Sequence, residues 1–318
     1  MIPPAHDGYF ADPFVLKLAD GAYVAYGSSG ATVDGARAFE ALVSDDLTQW
    51  RSIGPVLERP DASLGNEYWA PEVAAANGAF WLYYSVGHSI QGHHIRVARA
   101  ETAHGPFIDQ GVNLTPGETF AIDAHPFLDA DGQWYLYFAC DVLDADRPGT
   151  HLAVAPLATM TSTAAPAVSI LEPNADWQIY ERQRLMYGEL RDWHTLEGPS
   201  VVIRDDRYWL TYSGGAWTGP DYAVSWAVAE SPLGPWQHAP LDSPPLLSTS
   251  ADLIGPGHNS LTVDARGDDV IAFHAWDEAH TARQLHVHRI SFEPEGPRVD
   301  GPIRGPSTLR QLDGLRTP

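Results

Sequence analysis

Three carboxylates stand out because each is followed within three residues by a proline: Asp12 in FADPF, Asp123 in AIDAHPF and Glu197 in TLEGPS. Convergent carboxyl groups suit hydrolysis of a glycosidic bond, where one acid protonates the leaving oxygen and a carboxylate activates water or attacks the sugar. Taken singly they say little. Asp before Pro is a common turn signal, Asp123 could merely open a strand, and Glu197 before Gly-Pro could be a solvated turn residue. Their register carries more weight, because all three open segments that resemble one another.

Those segments are ADPFVLKLADG, APEVAAANG, DAHPFLDADG, EGPSVVIRDD and GHNSLTVDARGD. Each leads through a turn into a run rich in Val, Tyr, Trp and Phe: AYVAYGSS, AFWLYYSVG, QWYLYFACD, RYWLTYSGG and DVIAFHAW. Apolar residues show little helical periodicity, so the chain reads as all-β. The segments recur at intervals of roughly 55 to 75 residues, the period of a four-stranded propeller blade with its loops. A second echo links LVSDDLTQWRSIG, VARAETAHGPFIDQG and WAVAESPLGPWQHA, each an outer strand, a turn and a closing aromatic. The expectation is a single five-bladed β-propeller over residues 1–318; a β-sandwich would show short regular strand spacing without this long repeat. In a propeller the innermost strands face one central channel, which would gather Asp12, Glu72, Asp123, Glu197 and His258 at one funnel mouth.

Composition limits the partners. The chain has 318 residues, 44% of them hydrophobic, enough for a full core, and its 41 acidic against 19 basic residues give a formal net charge of −22. Such a surface repels phosphate backbones and anionic headgroups, so neither nucleic acid nor membrane is expected as a partner. Most of that acidity serves solubility. The 11 Trp, 13 Tyr and 10 Phe suit stacking on sugar faces as well as packing. Cys140, the single cysteine, lies in a strand-like run and reads as a buried, inert thiol. The first residues have no basic n-region and no apolar run approaches the ~20 residues of a membrane span, so a cytoplasmic location is expected, or a secreted one if a signal peptide has been removed.

In this order and spacing, FADPFV, YWAPEV, IDAHPF, EGPSVV and GPGHNS resemble the blade-opening motifs of glycoside hydrolase family 43, over essentially the whole chain. The Arg-Asp-Pro motif and the Glu-Cys pair of the related retaining, invertase-like families do not occur, which favours the inverting family. The resemblance implies that Asp12 is the general base, Glu197 the general acid, and Asp123 the third acid that holds Glu197 and raises its pKa. It implies a five-bladed propeller acting on an oligosaccharide or polysaccharide, with no required cofactor. It also places His258 on the axis, near a structural calcium or sodium ion, and Arg283 against the sugar and the carboxylates. Phe14, Trp69, Glu72 and Trp193, close to the motifs, are candidate substrate contacts, with His194 and Trp217 as further walls. The histidine pairs His93/His94 and His286/His288 lack zinc-ligand spacing and read as structural. The segment DWQIYERQRLMYGELRDWH, residues 176–194, breaks the blade rhythm and would close one end of the pocket, favouring exo cleavage. The expected activity is that of an exo-acting α-L-arabinofuranosidase, with a β-xylosidase or dual enzyme as the alternative and a sugar-binding propeller without turnover behind both.

Overall fold

A computed structural model describes residues 2–28, 35 and 37–303. Residues 1, 29–34, 36 and 304–318, the last of these the C-terminal end of the domain expected over 1–318, lie outside the described residues.

Five antiparallel blades follow one another along the chain. Blade I comprises Ala11–Lys17, Tyr23–Ser28, Arg37–Ser44 and Arg51–Glu58; blade II comprises Glu67–Ala76, Ala79–His88, Gln91–Ala100 and Ile108–Asn113. Blade III contains Ala121–Leu128, Trp134–Val142, Gly149–Thr159 and Val168–Leu171. Blade IV contains the inner part of Glu189–Arg204, then Arg207–Gly214, Ala223–Ala229 and Gln237–His238. Blade V contains Ile254–Val263, Asp269–Trp276, Arg283–Glu293 and Gly296–Pro302. The second strands are buried through their central residues, and Tyr23–Ser28 along its whole length, so they read as unbroken apolar runs rather than alternating ones. Asn77-Gly78, both at positive φ, makes the tight hairpin turn in blade II. Among the described residues there is no α-helix, only short 3-10 turns at Ala62–Leu64 and Asp176–Gln178.

The first strands lie side by side in a closed cycle, I beside II, II beside III, III beside IV, IV beside V and V beside I, and the chain is a five-bladed propeller. The N-terminal segment clasps the ring, with the Ala5 N–H donating to Leu285 O and the Phe10 N–H to Arg283 O, both at 2.7 Å. That clasp brings Asp12 beside Arg283.

Every first strand carries a bulge near its inner end, and the bulged residue has positive φ: Asp12 (51°), Ala70 (45°), Asp123 (61°), Gly198 (57°) and His258 (45°). For the four that are not glycine this conformation costs roughly 1–2 kcal/mol each. The bulge frees an N–H from the ladder, and the preceding blade receives it. Ala70 donates to Ser28 Oγ (2.8 Å), Asp123 to Ser85 Oγ (3.0 Å), His258 to Ser213 Oγ (2.7 Å) and Asp12 to His274 Nδ1 (3.1 Å). Ser28, Ser85, Ser213 and His274 occupy the same register position on their second strands. In blade III that position is Ala139, which has no acceptor, and the Gly198 N–H goes instead to Asp123 Oδ2 at 3.0 Å. A second layer repeats the device, the N–H three residues beyond one bulge donating to the side chain two residues beyond the bulge of the preceding blade: Val15 to Ser260 Oγ, Leu261 to Ser200 Oγ and Val201 to His125 Nε2.

Ser213→Ala leaves a buried N–H without a partner at the blade IV–V joint. A loss of about 1–3 kcal/mol in unfolding free energy is expected in urea titration; an unchanged midpoint would show that the ring does not depend on this bond.

Candidate active site

Asp12, Asp123 and His258 take the bulge position of blades I, III and V, and Glu197 stands one residue before the bulge of blade IV. The four meet at one end of the channel. His258 Nδ1 lies 3.6 Å from Asp12 Oδ1 and 3.7 Å from Asp123 Oδ2, and ligand atoms of Asp123, Glu197 and His258 lie within 4.8 Å of one another. Gly198 has to be small here, because a Cβ would approach the His258 ring to 3.2 Å in a backbone conformation that already disfavours side chains.

The environment separates the acids. Burial is the largest single influence on Asp12 and pushes it up, but the Arg283 guanidinium, donating from Nη1 to Oδ1 at 3.1 Å, together with His258 and His274 outweighs it and holds this carboxyl well below the usual carboxylate range. Arg283 is held in turn by Tyr9, whose hydroxyl accepts from Nη2 at 2.8 Å, and by the Trp217 ring, 4.5 Å from the guanidinium carbon. His274 accepts the Asp12 N–H at Nδ1, so its proton sits on Nε2, and burial pulls its pKa down to about 4. Asp123 and Glu197 move the other way. Burial is the largest cause for both: with repulsion from Glu197 and then Asp12 it pushes Asp123 well up, and, offset in part by the Tyr222 hydrogen bond and helped by repulsion from Asp12, it pushes Glu197 up to about 7. Asp123 and Glu197 titrate as an interacting pair.

Sequence reasoning missed Tyr222. Its hydroxyl donates to Glu197 Oε1 at 2.5 Å, and its ring stacks on His274 at 5.8 Å between centroids. Gly257 of the GPGHNS motif makes room for it, since a Cβ there would lie 1.9 Å from the Tyr222 ring. Tyr222 precedes the third strand of its blade, where no repeated motif marks a position. His274 was missed as well, although IAFHAW places it in register with the serines of AYGS, YYSV and TYSG.

Glu197 opens into a bowl walled by Trp69, Trp193 and Trp217, all flagged from sequence, and by Phe120, Tyr180 and Arg184, which were not. Trp69 lies flat on His93, 3.6 Å between centroids, so His93 is a prop and not a metal ligand. The expected insertion forms a hairpin, Ile179–Met186 pairing with the outer part of Glu189–Arg204, and contributes Tyr180, Arg184, Met186 and Trp193 to the wall. Asp141 anchors it, accepting from Tyr187 Oη (2.7 Å) and Thr150 Oγ1 (3.0 Å), with burial pushing this carboxyl up to about 6. His194 lies behind the wall, against Arg147.

Two expected contacts lie elsewhere. Glu72, two residues past the bulge of blade II, is buried in the second layer, where it accepts from His125 Nδ1 at 2.7 Å. Phe14, its counterpart in blade I, packs against the core shared by blades I and II. Both follow from the bulge, which sets the side chains beyond it between blades rather than toward the bowl.

Asp123, Glu197 and His258 are also the described group able to hold a cation. Two carboxylates and one imidazole fit a hard ion better than zinc. An ion held there would supply positive charge among the acids.

The profile of Glycosyl hydrolases family 43 matches residues 3–297. The chain belongs to this family. An α-L-arabinofuranosidase of Humicola insolens is 28% identical over 279 residues, covering 83% of this chain and 54% of that protein. An extracellular exo-α-(1→5)-L-arabinofuranosidase of Streptomyces chartreusis is 28% identical over 229 residues, covering 68% and 65%. The chain thus spans about half of the first relative and under two thirds of the second. The crystal structure of a thermostable family-43 glycoside hydrolase superposes with a TM-score of 0.79 at 29% identity, covering 93% of this chain and 94% of that one.

Tyr222→Phe removes a hydrogen bond that favours the ionised form of Glu197. The Glu197 titration, followed by carbon-13 NMR of labelled glutamate, is expected near 7 in the parent and higher in the variant; a downward move would mean the phenol does not act on this carboxyl.

Proposed function

We propose that this family-43 glycoside hydrolase is an inverting, exo-acting α-L-arabinofuranosidase that releases terminal arabinofuranosyl units from oligosaccharides or hemicellulose side chains. The observation that carries the reading is the split in acidity within one cluster, with Asp12 held ionised by Arg283 while Glu197 is pushed to about 7. Asp12 takes a proton from water as the water oxygen attacks the anomeric carbon. Glu197 gives its proton to the glycosidic oxygen as the bond to the leaving group breaks. The Tyr222 phenol then stabilises the carboxylate formed on Glu197, and Asp123 fixes Glu197 through the Gly198 N–H. Inversion follows from using one carboxyl for water and another for the leaving oxygen.

The bowl, narrowed by the 179–194 hairpin, supports removal of one terminal sugar rather than cleavage along an open groove. The names of the Humicola and Streptomyces relatives support arabinofuranose as that sugar. Acid, base and the cation beside the base are all side chains of this chain, so turnover requires no cofactor, and an ion at His258 would be structural. The chain works as a single catalytic domain on a carbohydrate met in the cytoplasm or outside the cell; among the described residues no helix is long and apolar enough to cross a membrane.

p-Nitrophenyl α-L-arabinofuranoside and β-D-xylopyranoside assayed side by side test the sugar; faster xyloside cleavage would make the chain a β-xylosidase. Asp12→Asn is expected to lower kcat on the order of 10²–10⁴-fold while sugar binding persists. Glu197→Gln should lose most on glycosides with poor leaving groups, and equal loss on all would remove its role as acid. In the parent, kcat/KM should fall as pH rises through about 7, where Glu197 loses its proton. Proton NMR of the first-formed product should show the β anomer, and dialysis against EDTA should leave kcat unchanged.

A further inference from the structure

Apart from the bowl, a cavity of about 650 Å³ opens at the joint between blades V and I. The N-terminal segment, the turn after the third strand of blade I, the third strand of blade V and Pro302–Ile303 enclose it, and it shares no lining residue with the bowl. Pro3, Pro4, Pro302, Leu47, Val287 and Ile303 make most of the wall apolar, and no charged side chain lines it. Thr48 and Gln49 are polar but already committed, the Thr48 hydroxyl to Asp46 Oδ2 at 2.8 Å and the Gln49 amide to Thr48 O at 3.1 Å.

His288 is the exception. It lines the cavity, is 2% exposed, and has no hydrogen-bond partner at either ring nitrogen. Phe273 packs against its ring edge to face, 4.9 Å between centroids. Burial draws its pKa down to about 4, so the imidazole is neutral, with one nitrogen a donor and the other an acceptor. A buried polar group without a partner is destabilising, and a native fold keeps one where something outside the chain satisfies it.

The wall selects what that something is. Water fits poorly, since a buried water needs about two to four polar partners and this wall offers one free imidazole. An ion fits no better, because nothing charged lines the cavity to compensate it. A hydroxyl that brings its own apolar body meets both demands, and a phenol has that form, an apolar ring with one polar tip. We propose that this cavity is a binding site for a small neutral phenol, its hydroxyl on His288 and its ring against the prolines, separate from the glycosidase site. The cavity volume lies in the range of small-molecule sites. Because residues 2–5, blades I and V and residues 302–303 all contribute walls, an occupant bridges the segments that close the ring and raises the unfolding temperature by mass action.

The test uses p-cresol, with p-xylene as a probe of similar shape that lacks the hydroxyl and 4-hydroxybenzoate as a charged one. Binding is followed by nitrogen-15 NMR of protein labelled at histidine. In the parent, p-cresol should move the His288 resonances and bind about tenfold more tightly than p-xylene, the scale of one hydrogen bond. 4-Hydroxybenzoate should bind more weakly than p-cresol. His288→Phe keeps a ring and loses the nitrogens, so p-cresol and p-xylene should bind it equally. Gln49→Trp, at an exposed rim position, fills the cavity and should abolish the shift at His288, a check that holds even where the histidine variant does not fold. Equal affinity for p-cresol and p-xylene in the parent overturns the assignment. So does p-cresol binding that leaves His288 unmoved or persists in Gln49→Trp, and so does the absence of binding.

Discussion

A bulge in each inner strand frees one backbone N–H that is buried and must find an acceptor. The whole propeller is organised around that demand. Four of the five N–H groups reach a side chain at one register position of the preceding blade, so each blade is bonded to its neighbour at the channel as well as packed against it. The fifth, at Gly198, has only Ala139 in that position and takes the Asp123 carboxylate instead. The third acid therefore closes the ring where the fold lacks an acceptor. The acid cluster and the closure of the propeller share the same atoms, which explains why carboxylates from blades I, III and IV stand so close together.

Close carboxylates repel, and the site resolves this asymmetrically. Arg283 sits on Asp12 and is fixed there by Tyr9, Trp217 and the N-terminal clasp that ties Phe10 to its own backbone. Asp123 and Glu197 have no comparable cation at hydrogen-bond distance and are pushed up. His258 and His274 assist Arg283 in smaller measure, while burial draws both imidazoles down. Position relative to one guanidinium thus separates Asp12, held low, from Asp123 and Glu197, pushed up.

Much of this was legible in the chain. The long repeat gave the five blades, and the opening motifs gave Asp12, Asp123, Glu197 and His258, because these sit at or next to a bulge that recurs in every blade. Glu72 and Phe14 were named as contacts because they lie in the opening motifs, yet the prolines of those motifs do not mark one register: Pro13, Pro71 and Pro199 follow the bulged residue directly, whereas Pro126 lies three residues beyond Asp123. Two residues past the bulge a side chain points between blades, where Glu72 finds His125 and Phe14 finds core. Tyr222 was illegible for a different reason. It acts through a loop next to a third strand, and the repeat places no constraint on such loops that a sequence could display.

The hairpin at 179–194 adds a coupling that neither ring nor repeat requires. Its second arm and the inner strand of blade IV are one continuous strand, Glu189–Arg204, so Trp193 in the pocket wall and Glu197 at the acid position are separated by three peptide units of regular backbone and the start of the bulge. Asp141 pins the hairpin tip to blade III through Tyr187, and Arg191 adds a bond from Nη1 to Leu143 O. The wall of the bowl is thereby held against Glu197 by one strand and two anchors. The N–H bonds from the bulges involve none of the residues of the hairpin's first arm, although its second arm also joins blade III, where His194 and Thr195 pair in parallel with Gly149 and Thr150. Substitutions toward the hairpin tip can therefore reshape the pocket without touching the serine-bonded joints, whereas a change at Ser85 or Ser213 acts on the ring first and on the acids through it.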